Sequence, residues 1–483
     1  MINQKLVEVL QCLDAESLEK LALFLRSPYF NNAYNAEQIV NLYSYLAAPS
    51  QIRRLDKLDK ESLNTKYFPE YTYRPKQKNP IDALTTDLFK LVKKFIHVEM
   101  ASKDNYESKH FLYLARFYLQ NNLPERFQQT MSQFWKYQKK RKDVGPWYYL
   151  DSFLMELEGT LFKSIFNTYT DDINLISTHK SLDQFYKVSK LELTAALKYQ
   201  KRLGAIDDEG ILEKTQELFP TGEDDNSDGY PLNEYYQIII KWLDVPPTLE
   251  ELEAFSGSIL EHRGKIENHA IRNLMAFYRN FYFQAYRKQE NPKAYSKELF
   301  RIYKLHLEEG FFDTYDKILP VALHVVIAIA LKCDEIEWAK KVLKKYPAKR
   351  IIGTHFAEEA HCLSEAEVFF ANREYDLAME KLVYRNFENV NYSIIVDALL
   401  IRIYYMTNNE LIDNRIRALE QKIRRSKVAK KRRDSFLSFL KILNQVLKYE
   451  HDKTSDKWKK IQTKIDVTSN VIHREWLQQI INE

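Results

Sequence analysis

Residues 366–382 read AEVFFANREYDLAMEKL. Ala366 and Phe369 stand three apart, and Tyr375, Ala378 and Leu382 follow at intervals of three and four. Such intervals place each set on one face of a helix. Alanine on that face lets two antiparallel helices approach closely, and the aromatic residues beside it fill the remaining space. The stretch therefore predicts a helical hairpin. Related fragments flank it: Ala330 precedes Trp338-Ala339-x-x-x-Leu343, closed by Pro347, and Ala398, Ile401 and Tyr404-Tyr405 precede Leu411. Ala330, Ala366 and Ala398 are separated by 36 and 32 residues, which predicts a repeating helix pair.

Composition agrees with an all-α chain. Glycine occurs 10 times in 483 residues and proline 14 times, whereas tyrosine and phenylalanine occur 32 and 27 times. Average glycine usage is about 7%, so glycine-rich phosphate loops and tight β-hairpins are poorly provided for. A chain this long exceeds one compact core, so several domains or an extended array are expected. Basic residues number 72 and acidic residues 67, for a net charge of +5, which by itself does not argue for nucleic acid. Cys12, Cys333 and Cys362 lie far apart in the sequence and suggest no disulfide framework. The opening Met1-Ile2-Asn3-Gln4-Lys5, soon interrupted by Glu8, does not read as a signal peptide. The longest uncharged, mainly apolar run, Ile318 to Leu331, has 14 residues and includes Pro320 and His324. That is too short to span a bilayer, so a buried helix, no membrane insertion and a cytoplasmic location are expected.

Four regions are expected: an N-terminal helical domain (1–104), a first part of a helical array (105–219), an acidic loop (220–231) and a second part (232–483) clearest over 320–449. In the first region Leu84, Leu88, Leu91, Val92 and Phe95 mark one helical stripe, and Ser27-Pro28-Tyr29-Phe30-Asn31-Asn32 reads as a turn. Arg53 to Lys66 reads as a polar stretch, and Ala101 to Ser108 as a linker. Asn121-Asn122 breaks one helix and Pro124 suits the start of the next.

Several motifs resemble those of a Bacteroidota family of TPR-like helical-repeat proteins with an N-terminal SPYFN-type signature. They are Leu25 to Asn31, Tyr67-Phe68-Pro69, Thr86-Asp87-Leu88-x-x-Leu91, Leu182 to Glu192, Leu299-Phe300-x-x-Tyr303-Lys304 and Arg474-Glu475-Trp476-Leu477. The resemblance implies a helical N-terminal domain followed by a TPR-like α-solenoid of antiparallel helix pairs. It implies no activity and carries over no functional residues. The repeat's glycine and most of its second-helix consensus are missing, and a plain helical bundle is the competing architecture.

No catalytic, cofactor-binding or metal-ligating set stands out, and neither cofactor nor enzymatic activity is expected. Gly257-Ser258 to Gly264-Lys265-Ile266 lacks the spacing of a phosphate loop and has Ile266 where a magnesium-holding hydroxyl is needed. Asp224-x-Asn226-x-Asp228-Gly229 matches half a calcium loop, but Tyr235 occupies the position of the bidentate glutamate. His355, Glu358, Glu359, His361 and Cys362 cluster, yet two histidines six apart cannot easily share one site on a straight helix. The densest cationic run contains Lys422, Arg424, Arg425, Lys427, Lys430, Lys431, Arg432 and Arg433. As a single helix it would present charge round most of its circumference. It is either a solvated helix junction or a contact for an anionic partner, RNA or an acidic protein face. Lys136, Lys139, Lys140, Arg141 and Lys142 form a second basic cluster, and Tyr404, Tyr405 and Trp458 are candidate stacking aromatics for RNA. The expected function is a non-catalytic scaffold gripping a protein partner of unknown identity. The alternatives are an RNA- or ribonucleoprotein-associated factor using 422–433, and an enzyme with an unrecognised helical site.

Overall fold

A computed structural model describes residues 3–103, 107–166, 175–202, 210–218, 231–286, 292–353, 356–426, 428, 430–468 and 471–482. The acidic loop's 220–230 and its half calcium loop lie outside these residues, as do His355 and Lys427. Contacts divide the chain into two units, one of residues 1–141 and 147–183, the other of 142–146 and 184–483.

The first unit contains α1 (Gln4–Cys12), α2 (Ala15–Arg26), α3 (Ala36–Leu46), a 3-10 segment (Ile52–Lys57), α4 (Lys60–Tyr67), α5 (Pro80–Lys103), α6 (Glu107–Gln120), α7 (Pro124–Lys140) and most of α8 (Pro146–Phe166). Helices α1 to α5 enclose a core that includes Leu6, Leu10, Leu21, Leu25, Ile39, Leu42, Leu84, Leu88 and Val92. The predicted stripe on α5 is thus its buried face, apart from the partly buried Leu91. The polar stretch from Arg53 holds the unforeseen α4, started by the Asp59 side chain accepting from the Ser62 amide at 3.0 Å. The SPYFN turn is built for packing. Asn31, 4% exposed, donates from Nδ2 to the carbonyls of Leu25 (2.9 Å) and Ala36 (3.4 Å), and Phe30 stacks on Phe24 with ring centroids 4.2 Å apart.

A second core joins α6, α7 and α8 through Leu112, Ala115, Phe127, Phe134, Met155 and Phe162. Phe127 and Phe162 stack almost parallel, 2° apart in plane and 4.3 Å between centroids. Truncation of Phe127 to alanine should cost about 3–5 kcal/mol, because it empties a fully buried, stacked position in this core. Urea unfolding followed by hydrogen exchange on α6–α8 reads this loss; an unchanged exchange profile would refute it.

Helix α9 (Leu175–Arg202) contributes to both units, and the second unit continues with α10 (Ile211–Leu218), α11 (Pro231–Asp244), α12 (Leu249–Glu261), α13 (Asn268–Tyr286) and α14 (Pro292–Glu308). A two-residue ribbon, β1 (Asp313–Thr314) with β2 (Lys317–Ile318), forms the one sheet among the described residues. It is followed by α15 (Pro320–Lys332), α16 (Ile336–Lys345), a 3-10 turn (Ala348–Arg350), α17 (Ala357–Ala371), α18 (Tyr375–Val383) and α19 (Val390–Met406). The last elements are α20 (Ile412–Arg425), α21 (Lys430–Tyr449), α22 (Asp456–Val467) and α23 (Arg474–Asn482). Prolines 80, 124, 146, 231, 292 and 320 each open a helix, where the missing N–H costs nothing.

From α14 onward each helix packs on its successor, and α17 also touches α15 and α19. The corners within several pairs share one construction. Asn122, Asp334, Arg373 and Asn408 have φ of 52°, 59°, 62° and 50°, in the left-handed region. The next residue's N–H then reaches back five positions: Leu123 to Tyr118, Glu335 to Ala330, Glu374 to Phe369 and Asn409 to Tyr404, at 2.9–3.0 Å. This Schellman closure usually relies on glycine. Gly310 (φ 74°) serves the same closure after α14, where Phe311 donates to His306 at 2.8 Å.

These corners correct the repeat register. Ala330, Ala366 and Ala398 are all fully buried, but they precede their left-handed corner residues by four, seven and ten positions. They occupy successive turns of their helices rather than equivalent places.

Candidate functional site

Helix α15 carries one polar side chain in its apolar middle, His324, and α19 carries two, Asp397 and Arg402. Asp397 turns to α20 and Arg402 turns the other way. Because α15, α17 and α19 lie side by side, His324, Glu367 of α17 and Arg402 converge. The segment entering α23 returns to this row and adds His473, Arg474 and Trp476. Together these line a half-open pocket of about 760 Å³, with Phe370 and Tyr375 among its aromatic walls and the corner residues Asp334 and Arg373 on its lining.

Arg402 is the organising group. Its guanidinium carbon lies 4.1 Å from the centroid of Phe370 and 5.5 Å from that of Trp476. Nη1 donates to His473 Nδ1 at 3.3 Å, whereas Nε is buried without an acceptor. Among the described residues no carboxylate lies within ion-pairing distance of it. Burial pulls its pKa down to about 10, partly offset by the field of Glu367, so the group stays charged at neutral pH. His473 is held well below the usual histidine range, first by burial and then by the positive charges of Arg402 and His324. It is therefore neutral, with Nδ1 as acceptor and the proton on Nε2. Its φ of 52° turns the chain into α23.

At the mouth, His324 Nδ1 stands 3.2 Å from Glu367 Oε2. The carboxylate raises the imidazole pKa, and burial opposes it. Lys332 and Glu475 pair at 2.8 Å on the rim, and Arg474 donates to the Thr468 carbonyl.

The cationic run does not form one helix. It is interrupted after Arg425, where α20 ends, and resumes at Lys430, where α21 begins, so the single-helix reading is replaced by two helix ends. Lys422 ion-pairs with the buried Asp397 and donates to Ser393 Oγ at 2.8 Å. Arg424 pairs with Glu420 at 2.7 Å. Both complement the negative C-terminal end of α20. Arg425 and Lys430 are exposed. Arg432, also exposed, donates to Asn391 Oδ1 at 3.4 Å, and Arg433 is half-buried. Lys431 lies in the first turn of α21. In the second cluster, Arg141 meets Asp151 at 3.5 Å. Tyr404 and Trp458 are buried, and Tyr405 packs edge-on against Trp476, so these aromatics serve the core.

The residues flanking His355 have structural tasks. Glu358 pairs with Arg385 at 2.5 Å, and His361 lies 3.7 Å from Glu365. Glu359 accepts from the amides of Glu388 (2.9 Å) and Asn389 (3.2 Å). Among the described residues, no group of three or more His, Cys, Asp or Glu could hold a metal ion, and no helix is long and apolar enough to cross a membrane. No protein-family model matches the chain, and no curated protein and no solved structure matches it either.

Proposed function

We propose that this chain is a non-catalytic, TPR-like helical scaffold that binds a protein partner along an extended helical surface. The observation supporting it is the row of α15, α17 and α19, with α16, α18 and α20 each packed on its neighbours in sequence. Stacked pairs of this kind bury a continuous core and leave a long face for a ligand. Crosslinking the endogenous protein in cells, with and without nuclease, is the test. A stoichiometric protein complex that survives nuclease is expected, and substituting Arg425, Lys430, Arg432 and Arg433 by glutamate should leave it intact. A complex that disappears with nuclease, or no reproducible complex, would overturn the reading.

One observation favours a second reading, an enzyme. The His324–Glu367 pair places a proton-transfer group at the mouth of a pocket that also holds a buried guanidinium. That reading requires turnover that H324Q abolishes while the fold is kept.

A further inference from the structure

Arg402 has hydrogen-bonding capacity that the protein leaves unused beside the pocket. Nη1 is occupied by His473, but Nε and Nη2, the two parallel donors, bond no protein group among the described residues. A second buried arginine shows the contrast. Arg279 likewise donates from Nη1 to a histidine, His306 Nδ1 at 3.0 Å, and likewise lies over an aromatic ring, Phe312 at 4.0 Å. There the side chain is only 7% exposed. At Arg402 the same device opens onto the pocket.

A buried cation without a counter-ion is costly, and stacking between aromatic faces recovers only part of the loss. The charged groups lining the pocket are Lys332, Arg373, Arg402 and Arg474 against Asp334, Glu367 and Glu475. The balance is one positive charge, rising to two when His324 is protonated. Two parallel N–H donors in a plane match the two oxygens of a carboxylate. Phe370, Tyr375 and Trp476 provide flat walls for an apolar body attached to it.

We propose that the Arg402 pocket binds a carboxylate carried on an apolar or aromatic body, which enters at Nη2, on the same edge of the guanidinium as the buried Nε, between Phe370 and Trp476. The carboxylate belongs either to a free organic acid or to the end of a polypeptide. The proposal stands apart from the scaffold reading, since the pocket could hold such a ligand whatever binds elsewhere.

The test titrates the full chain with benzoate, with N-acetyl-L-phenylalanine and with the amide of the latter, by calorimetry and by the side-chain Nε–H resonances of arginine. At least one acid should bind and shift the single Nε–H signal that R402K removes, while the amide should do neither. R402Q and R402K should each weaken the acid about 10- to 100-fold, since glutamine lacks the charge and lysine lacks the fork. Binding of N-acetyl-L-phenylalanine assigns the carboxylate to a chain end, and binding of benzoate alone assigns it to a free acid. The proposal fails if neither acid binds at millimolar concentration, if the amide binds as tightly as its acid, or if the Arg402 Nε–H signal is unmoved. The shift is read on the unmodified protein, and the signal is assigned by its loss in both R402K and R402Q, so a folding defect in one variant leaves the outcome readable.

Discussion

Acidifying this protein from neutral pH to 4.5 is expected to remove about 2.5 kcal/mol from the stability of its second unit through His306, with His473 adding in the same direction. Two histidines cause it. His306 is 1% exposed, and burial, then Arg279 and Arg301, push its pKa down to about 3. His473 is depressed in the same direction for the same reasons. In the unfolded chain both return to about 6.5. Above that value neither state carries the proton, and the stabilisation is fully present. Below it the unfolded chain takes up protons that the folded protein refuses, so stability falls by about 1.4 kcal/mol per pH unit for His306, and His473 steepens the fall. His324 and His361 are shifted the other way, chiefly by Glu367 and Glu365, and lose their contribution as pH rises past neutrality. Glu365, lowered to about 2 by His361 and Lys381, acts only below the ordinary carboxylate range. Between pH 6 and 4.5 the two depressed histidines therefore dominate. Urea midpoints across that window should fall, and H306Q should remove about 1.4 kcal/mol per pH unit of the slope. A flat profile, or a slope that H306Q leaves unchanged, would show that these imidazoles are not held neutral.

The second large effect concerns Asp397, 5% exposed on α19. Its Oδ1 accepts from Arg415 Nη1 at 3.0 Å, and its Oδ2 accepts from Lys422 Nζ. Arg415 and Lys422 lie seven apart, two turns along one face of α20, so one carboxylate fastens two turns of the neighbouring helix. Replacing Asp397 with alanine should cost about 3 kcal/mol, because it leaves two cations facing a dry seam. The figure belongs at the lower end for such changes, since both cations keep about a third of their surface in water. Replacing all three, Asp397 by leucine and both cations by methionine, should recover most of the loss. Chemical denaturation decides between outcomes. If the single variant is neutral, the cluster is a surface ornament; if the triple variant is worse, the charges themselves stabilise the seam.

Much of the helical architecture was legible because apolar periodicity is a local signal. The stripe of α5, the proline at the start of α7, the asparagine break before it and the apolar run forming α15 follow from residues close in sequence. The candidate pocket was not legible, because His324, Glu367, Arg402 and His473 come from four segments spread over 150 positions. A trace of it was present. Helix α19 reads VNYSIIVDALLIRIYYM, with two charges in an otherwise uncharged helix, and a buried charge requires either a partner or a purpose. Asp397 has its partners in α20, and Arg402 has no carboxylate partner among the described residues. Density of charge was the poorer guide: the eight cations of 422–433 drew attention by number, yet Lys422 and Arg424 are committed to carboxylates of the same fold.

The hairpin corners at Asp334 and Arg373 bear on how the pocket could respond to an occupant. A left-handed residue with a Cβ sits in a narrow conformational well, whereas glycine there would pivot freely. These joints therefore have little compliance, and the angle each one sets, between α15 and α16 or between α17 and α18, is fixed before anything enters. Adjustment to a guest falls to rotating side chains such as Tyr375 and Met406, so shape discrimination should be sharp where a glycine-jointed groove would be forgiving.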